Sequence, residues 1–338
     1  MSGTKTAVGS RTVAKVLVGF AVAGLLLYLF GRVVGWGAIQ QAFAEADWRW
    51  IVVGCASSVV SLVIWSKAWH IVLSAVGVRI PFRSLVVTYF AATFADYATP
   101  FGKAGGGPFI ALVLSSDERA NFQESFAGVV AADLLNLFPF FTFATVGGVA
   151  LAFRTDITGR TNLLVAGLAG LAVVVPAVAY AGWRKRGLVE RFVARLLEPL
   201  AARTSRVEME SVRERIREFF LGIDEIRTHP TAVKRTLPYA YVGWLFFALP
   251  LYLAGLTFGV RLDPIVVLFV VPASTVAGIV PTPGGLGGVE VAIVALLVAL
   301  ASVSADTAAA IALVYRVASY WFVLAFGGVA ALYETYTV

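Results

Sequence analysis

Residues 265–300 read IVVLFVVPASTVAGIVPTPGGLGGVEVAIVALLVAL, a run with a single charged residue, Glu290. About twenty apolar residues suffice to cross a bilayer, so the run is long enough to span one. Its centre, GIVPTPGGLGG (278–288), is nevertheless built from proline and glycine, the poorest helix formers. A break of this kind is tolerated at bilayer depth only where protein or a watery cavity surrounds it, because lipid offers the freed N–H and C=O groups no partner. The rest of the chain therefore has to supply that surrounding.

It has the spans to do so. Apolar segments lie at about 13–34, 48–73, 122–152, 162–183, 236–260 and 306–333, and a second interrupted one lies at 85–114. The chain is 59% hydrophobic and 14% charged, which excludes an ordinary water-soluble domain. Residues 1–338 read as one transmembrane domain, all-α and polytopic, with no segment polar and long enough to fold separately in water. The first span competes with a cleavable signal peptide. Its length, with Lys5, Arg11 and Lys15 before it and Arg32 at its end, favours a retained helix with its N-terminus in the cytoplasm.

The formal charge of +7 raises nucleic acid as a partner, but the basic residues belong to loops expected to stay cytoplasmic, and no nucleic-acid binding is expected. Residues 184–235 are the main such segment. Leu188, Val189, Phe192, Val193, Leu196, Leu197 and Leu200 follow helical spacing, and Val212, Ile216, Phe219, Phe220 and Ile223 do so after a polar turn. Two amphipathic helices are expected there, with a role in fixing topology or in contacting lipid headgroups. The single cysteine, Cys55, excludes an intrachain disulfide, and His70 and His229 lie far apart. No metal site and no cofactor is expected.

The two interrupted segments resemble each other. ATPFGKAGG (98–106) aligns without a gap on PTPGGLGGV (281–289), pairing Thr99 with Thr282, Pro100 with Pro283, Gly102 with Gly285 and Gly105 with Gly288. At the same offset the span with Asp133 and Asn136 falls on the one with Arg316 and Ser319. Repeats of about 48–152 and 236–333 follow, each a full span, a broken segment and another full span. If each broken segment enters and leaves on one side, the basic segment 184–235 lands in the cytoplasm. If the first were a single crossing, that segment would be outside. The expected architecture is six full transmembrane helices plus two re-entrant broken-helix hairpins, in an inverted repeat.

Opposed broken helices near the midplane are a device of transporters. The half-helix starting near Gly288, and its counterpart near Gly105, point backbone N–H groups and a positive dipole end inward. Glycines there, Gly102, Gly105, Gly284, Gly285, Gly287 and Gly288 among them, permit close approach of an anion. The competing reading is that proline and glycine only kink packed helices.

Two motifs, PTPGGLGGVE (281–290) and YRVASYW (315–321), resemble those of the flippase-like transmembrane domain of the lysylphosphatidylglycerol synthase, or multiple peptide resistance factor, family. The resemblance spans about 13–335. It implies movement of a polar-headgroup lipid between leaflets, in the cell membrane of a bacterium or archaeon, with archaeal members similar to components of dolichol-linked sugar assembly. No soluble aminoacyl-transfer domain is read in residues 1–338, so lipid synthesis by them is not expected. The chain departs from many relatives at Gly106 and Gly107, where an acidic residue is common, and at Asp133, where arginine is common.

Asp96, Lys103, Asp133, Glu290 and Arg316 all fall in apolar segments, where ionisable groups are costly and face a partner or a cavity. Lys103 and Arg316 suit a phosphate, the guanidinium by a two-pronged contact. Arg316 has a structural alternative, an ion pair with Glu290 or Asp133. Glu290 can cap its helix or couple substrate or protons. Thr282, Pro283, Asn136, Tyr315 and Tyr320 complete the expected lining. The function expected is transport of an anionic, phosphate-bearing lipid, with a polyprenyl-linked lipid as one candidate, and not enzyme catalysis. Two rivals stand beside it. One is a scaffold or accessory partner for a lipid-modifying glycosyltransferase. The other, a membrane-embedded lipid-phosphate transferase, is disfavoured by the sparse acids and the missing histidine pair. No G-x-x-x-x-G-K-[ST] motif is present, so an internal ATP motor is not expected.

Overall fold

The computed structural model describes residues 46–99, 122–154, 228–279 and 282–337, with a few isolated positions elsewhere. The expected spans at 13–34 and 162–183, the first Gly-rich motif beyond Thr99, and nearly all of the amphipathic segment 184–235 lie outside the described residues.

Every regular element among the described residues is a helix. In chain order these are α1 (Trp48–Ala75), α2 (Phe82–Ala98), α3 (Phe122–Arg154), α4 (Pro230–Thr257), α5 (Pro264–Val276), α6 (Gly288–Leu300), α7 (Ala305–Arg316) and α8 (Phe322–Thr337). The segment Val317–Trp321 joins α7 to α8 as a π-helical turn, so the last span is one continuous helix with a wide turn inside it. Five stretches are apolar and long enough to cross a membrane: Trp48–Ala75, Gly128–Phe153, Pro230–Thr257, Pro283–Leu300 and Ala305–Glu334. The protein is therefore a multi-pass membrane protein. The fourth stretch reaches that length only by including the turn at Pro283–Gly287. Its continuous α-helix is 13 residues, as is α5, and each is about 20 Å long at 1.5 Å per residue.

Local chemistry sets several of the boundaries. α5 starts at Pro264 because Asp263 caps it, its carboxylate accepting from the Ile265 N–H at 2.8 Å, and proline suits the first helical position. α7 starts after Ser304, whose hydroxyl accepts from the Thr307 N–H at 3.2 Å.

The chain divides into two compact units. One contains residues 63–86 and 110–244. Its described part is built from the C-terminal half of α1, the start of α2, α3 and the first half of α4. Trp65 and Trp244 meet edge-on with ring centroids 5.8 Å apart. The indole of Trp65 donates to the Ala240 carbonyl at 3.4 Å, and that of Trp244 to the Asn136 carbonyl at 3.1 Å. Small residues let the helices close: a β-carbon at Gly243 would strike the Trp65 ring, and one at Gly128 would press on Leu73.

The other unit contains residues up to 62, 87–109 and 245–338. α5 packs on α6 and α6 on α7. α5 is buried on nearly every side from Val266 to Ser274. The run Ala308–Ala309–Ala310–Ile311–Ala312 on α7 is fully buried, its small side chains allowing the close helix approach that membrane bundles need. Gly327 on α8 approaches the Phe90 carbonyl of α2, and near the other end of that contact the Thr88 hydroxyl donates to Glu334 at 2.8 Å.

Candidate functional site

The second Thr-Pro-x-Gly motif lies between two half-helices. α5 ends at Val276, and short 3-10 turns follow at Ala277–Ile279 and Pro283–Gly285 before α6 begins at Gly288. The Thr282 hydroxyl donates to the Leu286 carbonyl at 2.8 Å and closes the turn. Gly284 and Gly285 both have positive φ, 56° and 65°, a region that side-chain-bearing residues avoid. Space enforces the same choice. A β-carbon on Gly284 would run into the Tyr320 ring, and one on Gly285 would come within 2.5 Å of the Gly278 Cα. These two glycines therefore serve close packing, and protein fills the side from which a ligand was expected to approach them.

Glu290 and Arg316 hold this turn. Glu290 is wholly buried and Arg316 is 7% exposed. Arg316 Nε donates to Glu290 Oε1 at 2.7 Å, and Nη2 donates to the Gly284 carbonyl at 2.8 Å. Glu290 Oε2 accepts from the Gly287 N–H at 2.7 Å. The guanidinium and the carboxylate thus bridge Gly284 to Gly287 across the tightest part of the break and fasten it to the last span. Glu290 both caps α6 and neutralises Arg316. Of the two partners the sequence offered Arg316, the structure shows Glu290.

Tyr320 links the break to the end of α2. Its ring lies against the guanidinium, with Arg316 Cζ 4.4 Å from the centroid, a cation–π contact. Its hydroxyl donates to the Tyr97 carbonyl at 3.2 Å, and the two tyrosine rings are 5.3 Å apart. Tyr97 stands two residues before Thr99, where the first Thr-Pro motif starts. Tyr97, just before the first motif, and Gly284 of the second therefore meet on one aromatic ring. The π turn at Val317–Trp321 carries Tyr320 and directly follows Arg316, and insertions of this kind often mark functional positions.

Thr282, Pro283, Gly284, Gly285, Gly287, Gly288, Glu290, Arg316 and Tyr320 are thus one cluster, with Tyr315 buried beside it. Lys103, Gly102 and Gly105 lie outside the described residues. Asp133 and Asn136 sit on α3 in the other compact unit, Asp133 exposed and Asn136 half-buried. Sequence reasoning missed Tyr97 and Gly278. Tyr97 had a signal, its place next to the Thr-Pro motif. Gly278 had only its place within the same Pro- and Gly-rich stretch.

The lysylphosphatidylglycerol synthase TM region matches residues 16–327, nearly the whole chain. The chain belongs to that family. Two relatives are archaeal. A UPF0104 membrane protein of Methanothermobacter thermautotrophicus is 26% identical over 328 residues, covering 93% of this chain and 92% of the relative. A UPF0104 membrane protein of Pyrococcus horikoshii is 23% identical over 330 residues, covering 94% and 95%. These relatives consist almost wholly of the matched region, so the family's membrane part occurs in them without a large additional domain. Membership in this family connects the ion-paired break to a lipid-related membrane setting.

Proposed function

We propose that the protein is a flippase that moves an anionic, phosphate-bearing lipid between the leaflets of the cell membrane, with the second broken segment as part of its headgroup site. The observation that carries this reading is the buried Glu290–Arg316 pair fastened to an unwound turn between two half-helices. Charges inside membrane segments are expensive and cluster on substrate pathways. Irregular backbone at that depth is tolerated where it is enclosed in protein or lines a cavity. A purely structural kink needs neither charge. Arg316 is the group suited to a phosphate, since a guanidinium matches phosphate geometry and keeps its proton. Lys103, in the corresponding motif of the first repeat, is the second cation of the reading. Six crossings with two re-entrant hairpins of opposite orientation would let the repeats rock around this site while the lipid tails stay in the bilayer.

The test is reconstitution in phosphatidylcholine vesicles carrying a trace of fluorescent phosphatidylglycerol, with outer-leaflet dye bleached by an impermeant reductant. Protein-containing vesicles should lose more than the half of the signal that protein-free vesicles lose. Identical bleaching in both, from protein that is folded and inserted, refutes lipid movement.

A further inference from the structure

We infer that Glu290 is a resident anion that the lipid phosphate must replace on Arg316, and that this exchange takes up one proton and selects a headgroup with a single negative charge. The inference rests on the proposed lipid site and adds its coupling ion and its substrate class.

The geometry of Arg316 leads to it. A two-pronged grip on phosphate needs two adjacent N–H groups. Two of the three guanidinium nitrogens, Nε and Nη2, already donate to Glu290 and to the Gly284 carbonyl. Tyr320 covers a face of the group. The end-on pair, Nη1 with the second N–H of Nη2, takes no part in these two bonds. A phosphate held there beside Glu290 would set two anions on one buried cation, so the exchange that keeps the charge balanced is one anion for another. The carboxylate left behind would sit at 0% exposure, with the Gly287 N–H as its remaining partner among the contacts described above. A bare buried charge of that kind is strongly disfavoured, and a carboxylate so placed is neutralised by a proton.

Charge balance gives the stoichiometry. Before exchange the pair sums to zero. After it, Arg316, a singly charged phosphodiester and a protonated Glu290 also sum to zero. A headgroup with a second negative charge leaves the buried site charged.

Among the described residues, the elements packed on the break carry few other ionisable groups. α5 has no ionisable residue, and α7 contributes Arg316 and Tyr315 near the site, with Asp306 exposed at its far end. The π turn contributes Tyr320, and α2 contributes Tyr97 and the half-buried Asp96. Tyrosines are neutral near pH 7, and arginine keeps its proton. Glu290 holds Arg316 directly, so it is the carboxylate that the exchange releases.

The sign is fixed by the proton uptake: lipid binding weakens as pH rises, by as much as about tenfold per pH unit. The test is calorimetric titration of the full chain in detergent with dihexanoyl-phosphatidylglycerol, in two buffers of different ionisation enthalpy. The difference in heat gives the protons bound. Wild-type protein should take up close to one proton per lipid. Glu290→Gln, which imitates the neutral acid, should bind at least as tightly with no proton uptake and no dependence on pH. Wild-type binding without proton uptake overturns the inference, as does a Glu290→Gln protein that still takes up a proton. If that variant does not fold, the wild-type count decides alone. Vesicles that move phosphatidylglycerol with no proton bound sink the exchange but leave the flippase reading standing. Protein that neither binds nor moves the lipid sinks both.

Discussion

Arg316 meets a carboxylate, a backbone carbonyl and an aromatic face, and each contact predicts a different outcome on mutation. Removing the charge with Arg316→Gln strands Glu290 in the interior, a loss of about 3–5 kcal/mol when one partner of a buried pair is deleted. Its melting temperature in detergent should fall sharply, and the double variant Arg316→Gln with Glu290→Gln should recover most of the loss. A double variant no more stable than the single one would mean that the pair does not act as a unit. Arg316→Lys separates charge from geometry. It should fold better than Arg316→Gln yet transport poorly, because an ammonium cannot make the two-pronged contact. Near-normal lipid transfer by Arg316→Lys would show that the fork geometry is dispensable. At this scale the sequence was informative: two opposite charges inside apolar runs implied a partnership, and Glu290 was one of two partners available. It could not choose between Glu290 and Asp133, because that choice depends on which helices pack together.

At the scale of the element, the second motif is a turn built around absent side chains. Gly285→Ala would set a methyl 2.5 Å from the Gly278 Cα, a backbone atom with little freedom to yield, at a φ of 65° that alanine disfavours. The expectation is a lower melting temperature and impaired lipid movement. A variant with unchanged stability would show that α5 and α6 can part at the break without cost. Tyr320 divides its work between ring and hydroxyl. Tyr320→Phe keeps the contact with Arg316 and loses the hydrogen bond to the Tyr97 carbonyl, a change of about 0.5–1.5 kcal/mol. Tyr320→Ala loses both contacts and opens a cavity, so it should be clearly the more destabilising of the two by thermal shift. Equal shifts would place the whole effect in the hydroxyl. The helix starts at Pro264 and Ala305 were legible from Asp263–Pro264 and Ser304, since caps are local chemistry. The π turn was not. Five residues are too few for hydrophobic periodicity to reveal a wider turn inside a long apolar helix.

At the scale of the molecule, the path of the chain through α5 and α6 decides whether the transporter architecture holds. Each helix is 13 residues, about 20 Å against a hydrocarbon core of about 30 Å, so neither crosses comfortably alone. Joined end to end they could form one long interrupted crossing. They pack on each other, the arrangement expected of a chain that returns toward its starting side. The connector before α5 and the one after α6 should therefore lie on the same face of the membrane, the outer one in the inverted-repeat topology. Arg261 and Asp306 are exposed in or just after those connectors. In a Cys55→Ala background, Arg261→Cys and Asp306→Cys should both react with an impermeant maleimide in intact cells, and neither should need permeabilisation. Labelling of one from outside and the other only from inside would make residues 264–300 a single crossing. The basic segment 184–235 would keep its place, but the last span would reverse direction. The two motifs would then no longer be opposed, and the rocking exchange of a headgroup between them would lose its structural basis.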